Sequence, residues 1–391
     1  MQGEDGCRSD SQSAARRSSI CFVATNPGLT HLLTGRTGSY LGGIELQVSL
    51  LARALLNRAW QVSFVVADEG QEDVVEAQGI RLISGCAYRE SKLPWFVWHI
   101  GRQLEQALAN AQAETYVLQG ASWQALAIAR YCTSESARSV FWLASNTDPV
   151  CHIRGRSRLP WWQRAMAHRG MQLCDAIVAQ TNYQADLVHE HLRRESTVIR
   201  NVWPYEIAVR PHPATPMVLW VANMRAVKRP EMALEIARRA PEISFIMVGG
   251  AVRKHERYYR QVIQQAEAIP NLTCTGFLPF AEADRLFEQA TVFLNTSAVE
   301  GFPNTYLQAW SRGVPVVGSF DPDEAICRHG LGVHFRAVDE AVEAIRTLCN
   351  AEATMLQALG ERATQYIREN HSTDVVVGQL EALLESLQCA T

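Results

Sequence analysis

The residues best suited to chemistry lie in Ala298–Gly318, AVEGFPNTYLQAWSRGVPVVG, where an apolar strand (292–295) runs into a loop carrying Glu300, Gly301, Phe302 and Pro303. Asn304 is spaced to cap a short helix reaching about Arg312, and VPVV follows as the next strand. Gly301 would let backbone approach a ligand, and the amides after Asn304 make an anion site that suits a diphosphate. Glu300 would accept hydrogen bonds from neighbouring sugar hydroxyls. Gln308, one helical turn past Asn304, would reach a second polar group from the same face. An ordinary strand-to-helix loop accounts for these residues equally well.

A second constellation, Trp220–Pro230 (WVANMRAVKRP), sets Arg225, Lys228 and Arg229 at the carboxyl end of a strand, where cations neutralise a departing diphosphate. Its alternative is a solvated basic turn. A third, Gly35–Glu45 (GRTGSYLGGIE), places Gly42 and Gly43 just before a helix. It lacks the Lys-Ser/Thr of a phosphate loop and the spacing of a dinucleotide fingerprint, so neither ATP hydrolysis nor NAD binding is supported. In SVFWLASNTD, Asn146 and Asp148 follow a strand towards the same edge; Asp148 would orient an acceptor hydroxyl or take its proton, or else organise a turn. Cys151–Gly170 carries Arg154, Arg156, Arg158, Arg164 and Arg169 around Trp161 and Trp162 with no acid. That mixture suits an anionic lipid surface, or a helix packing its tryptophans inward.

What positions these loops is an alternation of β-branched runs and amphipathic stretches along the whole chain. Strands are expected at 20–25, 62–67, 81–83, 115–119, 140–144, 176–179 and 197–200, with a helix at 44–58. The proline-rich, aperiodic 202–216 is a connector. Alternation then restarts with VLWVAN, SFIMVGG, NLTCTG, VFLNTS, VPVVGS and GVHFR, and helical patterns at 339–370 and 373–388, the latter capped by Ser372, close the chain. The fold class is therefore α/β: two doubly wound, Rossmann-like domains facing a central cleft, where ligands of such sheets bind. The expected divisions are a polar tail (1–18), a first Rossmann-like domain (19–203), a linker (204–216), a second Rossmann-like domain (217–371) and a final helix (372–391) crossing back to the first domain.

Composition removes other classes. In 391 residues, 37 basic groups stand against 40 acidic ones for a net charge of −3, which argues against nucleic acid as the partner. Ten cysteines occur without a CxxC pair or a close Cys/His cluster, so neither a disulfide framework nor a metal site is expected. With no apolar leader at the start and no apolar run long enough to span a bilayer, the expected location is the cytoplasm, with the Arg/Trp segment admitting a peripheral place at the inner membrane face.

These segments resemble the retaining GT-B glycosyltransferases of glycosyltransferase family 4. Glu300-Gly301-Phe302 and Gly313-Val314-Pro315-Val316-Val317 match the family's EGF and G-x-P-V-V stretches in order and spacing. The resemblance implies transfer of a hexosyl group from a UDP- or GDP-linked donor to a saccharide or lipid-linked saccharide, with retention and without a metal or other cofactor. It implies that Glu300 contacts the hexose and that Gly301, Phe302, Pro303 and Asn304 hold sugar and phosphates through backbone. The family's second Glu, a ribose ligand, is Gln308 here. Lys228 matches a diphosphate-binding lysine, but the partner arginine five residues earlier is Asn223, with Arg225 the nearest substitute. Gly42 and Gly43 match a Gly-Gly-x-E stretch facing donor diphosphate and acceptor, and Gly276, Phe277 and Leu278 are implied at the nucleobase. Two other readings stand beside it: a GT-B enzyme that epimerises nucleotide-sugars or phosphorolyses glucans, and a non-catalytic nucleotide-sugar or glycan-binding subunit.

Overall fold

The computed structural model describes residues 18–25, 29–34, 42–87, 94–157, 159–204, 215–252 and 255–389. Most of the expected linker and tail, residues 35–41 of the third constellation and Arg158 lie outside them.

Strands of the first half are β1 (Ser19–Ala24), β2 (Gln61–Asp68), β3 (Val74–Ala77), β4 (Ile80–Ala87), β5 (Thr115–Gln119), β6 (Arg138–Trp142), β7 (Ala176–Ala179) and β8 (Thr197–Val198). They form one sheet in the order β3-β4-β2-β1-β5-β6-β7-β8, parallel except for the β3–β4 pair. The second half has β9 (Met217–Val221), β10 (Ser244–Val248), β11 (Leu272–Gly276), β12 (Val292–Asn295), β13 (Val316–Gly318) and β14 (Gly332–His334), ordered β11-β10-β9-β12-β13-β14 and all parallel. Parallel strands buried on both faces read as continuous apolar runs, so VLWV and VFL were visible as strands. The short β3, half-exposed and carrying Glu76, has no such signature.

Each sheet is packed on both faces. One apolar cluster on the first sheet joins Phe22, Leu51 and Val66 to Val376, Val377, Leu380 and Leu384 of the final helix, Thr373–Cys389. That helix, formed last in the chain, thus completes the core of the first half. The expected single helix at 339–370 is two, Val338–Cys349 and Ala353–Asn370. At the return crossing, the Trp203 amide donates to the His371 carbonyl at 2.7 Å, and His371 Nδ1 lies 2.7 Å from the Asn201 carbonyl.

In both sheets the strand order reverses direction beside the first strand of the half, between β1 and β5 and between β9 and β12. Loops leaving adjacent strands part there and open a crevice. Gly42–Gly43 lies beyond β1, Lys228 beyond β9 and Glu300 beyond β12, so all three constellations belong to these two switch points.

Candidate active site

After β9 the chain makes a single 3-10 turn, Ala226–Lys228, then Arg229 in a left-handed conformation (φ 47°), and enters the helix Pro230–Arg239 with proline in its first turn. The side chain of Arg229 grips the neighbouring β12 loop: Nε donates to the Thr296 carbonyl at 2.6 Å, and Nη2 to the Ser297 carbonyl at 3.1 Å and Ser319 Oγ at 2.7 Å. Thr296 Oγ1 in turn donates to the Lys228 carbonyl at 2.7 Å. Two carbonyls and a hydroxyl thus engage Arg229 Nε and Nη2 in holding the two loops together. The stitched loops bring Lys228 Nζ into direct contact with Glu300 Oε1, both side chains largely shielded from water. Arg225 stands exposed beside them with no side-chain hydrogen bond among the described residues, and Asn223 holds the turn through its carbonyl, which accepts from the Arg225 amide at 2.7 Å.

Asn304 does not cap its helix. The helix Asn304–Trp310 begins after Pro303 with no side-chain cap. Asn304 instead bridges the halves: its Oδ1 accepts from Gln47 Nε2 at 3.0 Å and Asn201 Nδ2 at 2.9 Å, and its Nδ2 donates to the Gly43 carbonyl at 3.0 Å. A primary amide offers both an acceptor and two donors, which a capping hydroxyl does not. Gly42 precedes the helix Gly43–Leu56, where the Glu45 carboxylate fills the space a β-carbon would need, 2.1 Å from it.

Packing between the halves by itself requires glycine at 301. A β-carbon there would stand 2.3 Å from Gln180 Oε1 and 2.6 Å from the Ala144 carbonyl, both in the first half. The Phe302 amide donates to Gln180 Oε1 at 3.1 Å and its carbonyl accepts from Asn201 Nδ2 at 3.1 Å, so these two groups hold the halves together. The Phe302 ring, with Pro303 also buried, packs on Trp310 and His371. Burial pushes the His371 imidazole down to about 3, so it is neutral in the seam.

Gln308 is buried and its Nε2 donates to Asp284 Oδ1 at 2.8 Å, while Arg312 Nη2 donates to Asp284 Oδ2 at 2.5 Å. Its amide donor is therefore engaged inside the second half rather than held open. Phe277 is 48% exposed and so lies outside the core; it sits between Gly276 (φ 73°) and Leu278, and its Cβ would lie 2.8 Å from a β-carbon on Gly250. Leu278 packs against the core that contains Trp310.

Asp148 is buried. Its Oδ2 accepts from the amides of Ala144 and Ser145 at 2.8 and 3.0 Å, the turn-organising alternative, and burial raises its carboxyl to about 6 despite those bonds. Asn146 does reach the seam, accepting from Gln184 Nε2 at 3.1 Å. In the basic segment Trp161 is 71% exposed and Trp162 is buried, so the pair divides between the two readings; Arg154 and Arg156 are exposed, and Arg164 is half-buried.

Sequence reasoning missed Gln47, Gln180, Gln184 and Asn201, because an amide in an amphipathic helix or loop reads as surface. It also passed over Gly249–Gly250 at the end of β10, which a repeat of the Gly42–Gly43 pattern would have flagged: a β-carbon on Gly249 would meet the Ala222 carbonyl at 2.0 Å.

Two doubly wound halves with opposed switch points, joined by a seam and a returning helix, define a GT-B glycosyltransferase. Residues 41–202 match the model of glycosyltransferase family 4 and residues 215–351 that of glycosyl transferases group 1, together well over half of the chain, which belongs to this family. The sucrose-phosphate synthase of Thermosynechococcus elongatus superposes with a TM-score of 0.76 at 15% identity, over 96% of this chain and 100% of its own. Anabaena HepE, in complex with UDP and glucose, gives 0.71 at 14% identity over 95% and 100%. A Burkholderia xenovorans UDP-forming trehalose-phosphate synthase with glucose-6-phosphate gives 0.71 at 12% over 95% and 100%. No curated protein matches the chain in sequence. Among the described residues no helix is long and apolar enough to cross a membrane.

Proposed function

We propose that this glycosyltransferase moves a hexosyl group from a UDP- or GDP-linked donor to a saccharide or lipid-linked saccharide, with retention and without a metal. The observation that carries this reading is the contact of Lys228 with Glu300 at the second switch point, facing the half that presents Gly42–Gly43. Before donor arrives, each charge compensates the other, so neither is left unpaired. An arriving diphosphate attracts Lys228 and the exposed Arg225, which releases the Glu300 carboxylate to accept hydrogen bonds from hexose hydroxyls. As the bond to the anomeric carbon breaks, negative charge grows on the leaving phosphate beside the two cations it has drawn in, which is where electrostatic stabilisation counts most. These cations supply what a metal would.

Phe277 offers a flat apolar face for the base, and Gln308 would reach the ribose only by exchanging its bond to Asp284 for the ribose hydroxyls. HepE, a structural neighbour, is described with UDP bound, which favours the UDP-linked donor. Exposed Trp161, Arg154 and Arg156 suit the anionic surface on which a lipid-linked acceptor resides at the inner membrane face, as part of polysaccharide or glycoconjugate synthesis.

Thermal unfolding of the full chain with UDP, GDP and ADP tests the reading. The diphosphate of the true donor at 100 times its dissociation constant adds about 2.7 kcal/mol, with no added metal and not in Lys228→Ala. Absence of stabilisation by every nucleotide rejects it.

A further inference from the structure

Where β13 and β14 end, three side chains with metal-binding chemistry converge outside the Lys228–Glu300 site. Asp321 follows β13, Cys327 lies in the helix Ala325–His329, and His334 closes β14. One ligand atom from each, a carboxylate oxygen, a thiol sulfur and an imidazole nitrogen, lies within 4.8 Å of the other two. They are separated by five and six residues, a spacing with no recognisable metal pattern. Parallel pairing of β13 with β14, which sets Gly318 opposite His334, assembles them instead.

The cluster is held in place before any ligand binds. Asp321 Oδ1 accepts from the Ile326 amide at 2.7 Å and Oδ2 from the Cys327 amide at 3.1 Å, which fixes the carboxylate and leaves each oxygen a further lone pair. Asp323 and Glu324 both take left-handed backbone (φ 51° and 58°), bending the chain sharply between Asp321 and Cys327. The neighbouring cation Arg328 is engaged by Glu324 at 2.7 Å, which leaves the Asp321 carboxylate free of that ion pair. Cys327 is exposed and the other two are half-buried, so an ion has access from solvent.

We propose that Asp321, Cys327 and His334 form a three-ligand site for a zinc-class divalent cation, its fourth position open to water. Oxygen, nitrogen and sulfur are the donors zinc accepts, and a thiolate disfavours magnesium and calcium. Bonds of about 2.0–2.3 Å in a tetrahedron set ligand atoms about 3.5 Å apart, so closure needs about 1 Å of side-chain movement. Binding replaces the S–H bond by a sulfur–metal bond and releases one proton to solvent. The cation would brace the turn that carries Asp323, whose carboxylate accepts from the Asn182 and Tyr183 amides at 2.8 and 3.1 Å across the seam.

Cobalt(II) chloride, titrated into the reduced full chain, tests the site. The expected result is a sulfur-to-cobalt charge-transfer band that saturates at one equivalent and is displaced by zinc chloride. Cys327→Ser removes the band, Cys389→Ser leaves it, and His334→Gln weakens zinc binding more than about 100-fold, beyond the loss of a group that only orients a ligand. Unchanged unfolding midpoints of the variants in chelator exclude misfolding as the cause. No band, a band that persists in Cys327→Ser, or zinc binding unaffected by His334→Gln overturns the proposal.

Discussion

The two faces of the cleft are built from different chemistry. The second half presents charge: Lys228 against Glu300, Arg225 in solvent, Arg229 bonded to carbonyls. The first half presents neutral amides: Gln47, Gln180, Gln184 and Asn201 donate to or accept from the Glu300–Asn304 loop and its surroundings, while of its two buried acids among the described residues Glu45 packs against Gly42 and Asp148 faces a turn. Charges act over distance and suit a site where charge develops during reaction. Amides act only at contact, so they fix geometry and register without disturbing the field. The seam therefore positions what the second half uses.

The sharpest way to break this division is to remove the charges. Glu300→Gln and Lys228→Ala should each lower the turnover number about 100- to 1,000-fold. Because the two groups touch, the double variant should lose far less than the product of the single losses, and a fully multiplicative result in transfer assays would separate their roles. Next in size is Gly301→Ala, which drives a methyl group into Gln180 and the Ala144 carbonyl. The expected cost is about 1–3 kcal/mol in chemical unfolding, with each sheet intact by circular dichroism, and a strand-wide loss of structure would contradict a seam-specific effect.

A third test uses pH. His371 is held down to about 3 from an ordinary 6.5, so the unfolded chain binds a proton that the folded one refuses as pH falls below 6.5. Stability is full above that point and should fall by about 2 kcal/mol between about pH 6.5 and 5 through this group. Asp148, raised to about 6, acts oppositely, since the folded state takes its proton first and gains stability as pH falls. Comparing wild type with His371→Asn cancels the Asp148 contribution; a difference that stays flat across that range would show that the seam does not exclude the imidazolium. The smallest effect is expected at Phe277→Ala, about tenfold in donor affinity with an unchanged unfolding midpoint, because the ring is half in solvent. Calorimetric titration of the nucleotide measures it.

Much of the fold was legible because strand and helix are local. Thr115–Gln119 and Ala176–Ala179 occupy the residues their apolar runs predict, and the restart at Met217 is where β9 begins. The antiparallel β3 was not legible, since a four-residue edge strand with an exposed face has little apolar pattern. In the site, Lys228 and Glu300 stood out by residue type at strand ends. Asn304 stood out for the wrong reason: its position suits a cap, and only partners from the other half show why its side chain turns away.

Residue order by itself determined most of the segments that become strands, where two sheets divide, and that a cation and a carboxylate each follow a strand end. Tertiary structure decided the rest: that Lys228 meets Glu300 across 72 positions, that Asn304 reaches Gln47 across 257 and Gly43 across 261, and that Asp321, Cys327 and His334 share one corner. The reason is range. Backbone preference and apolar periodicity act over a few residues, whereas the direction of a side chain at a seam depends on which hydrogen-bond partner packing brings within about 3 Å.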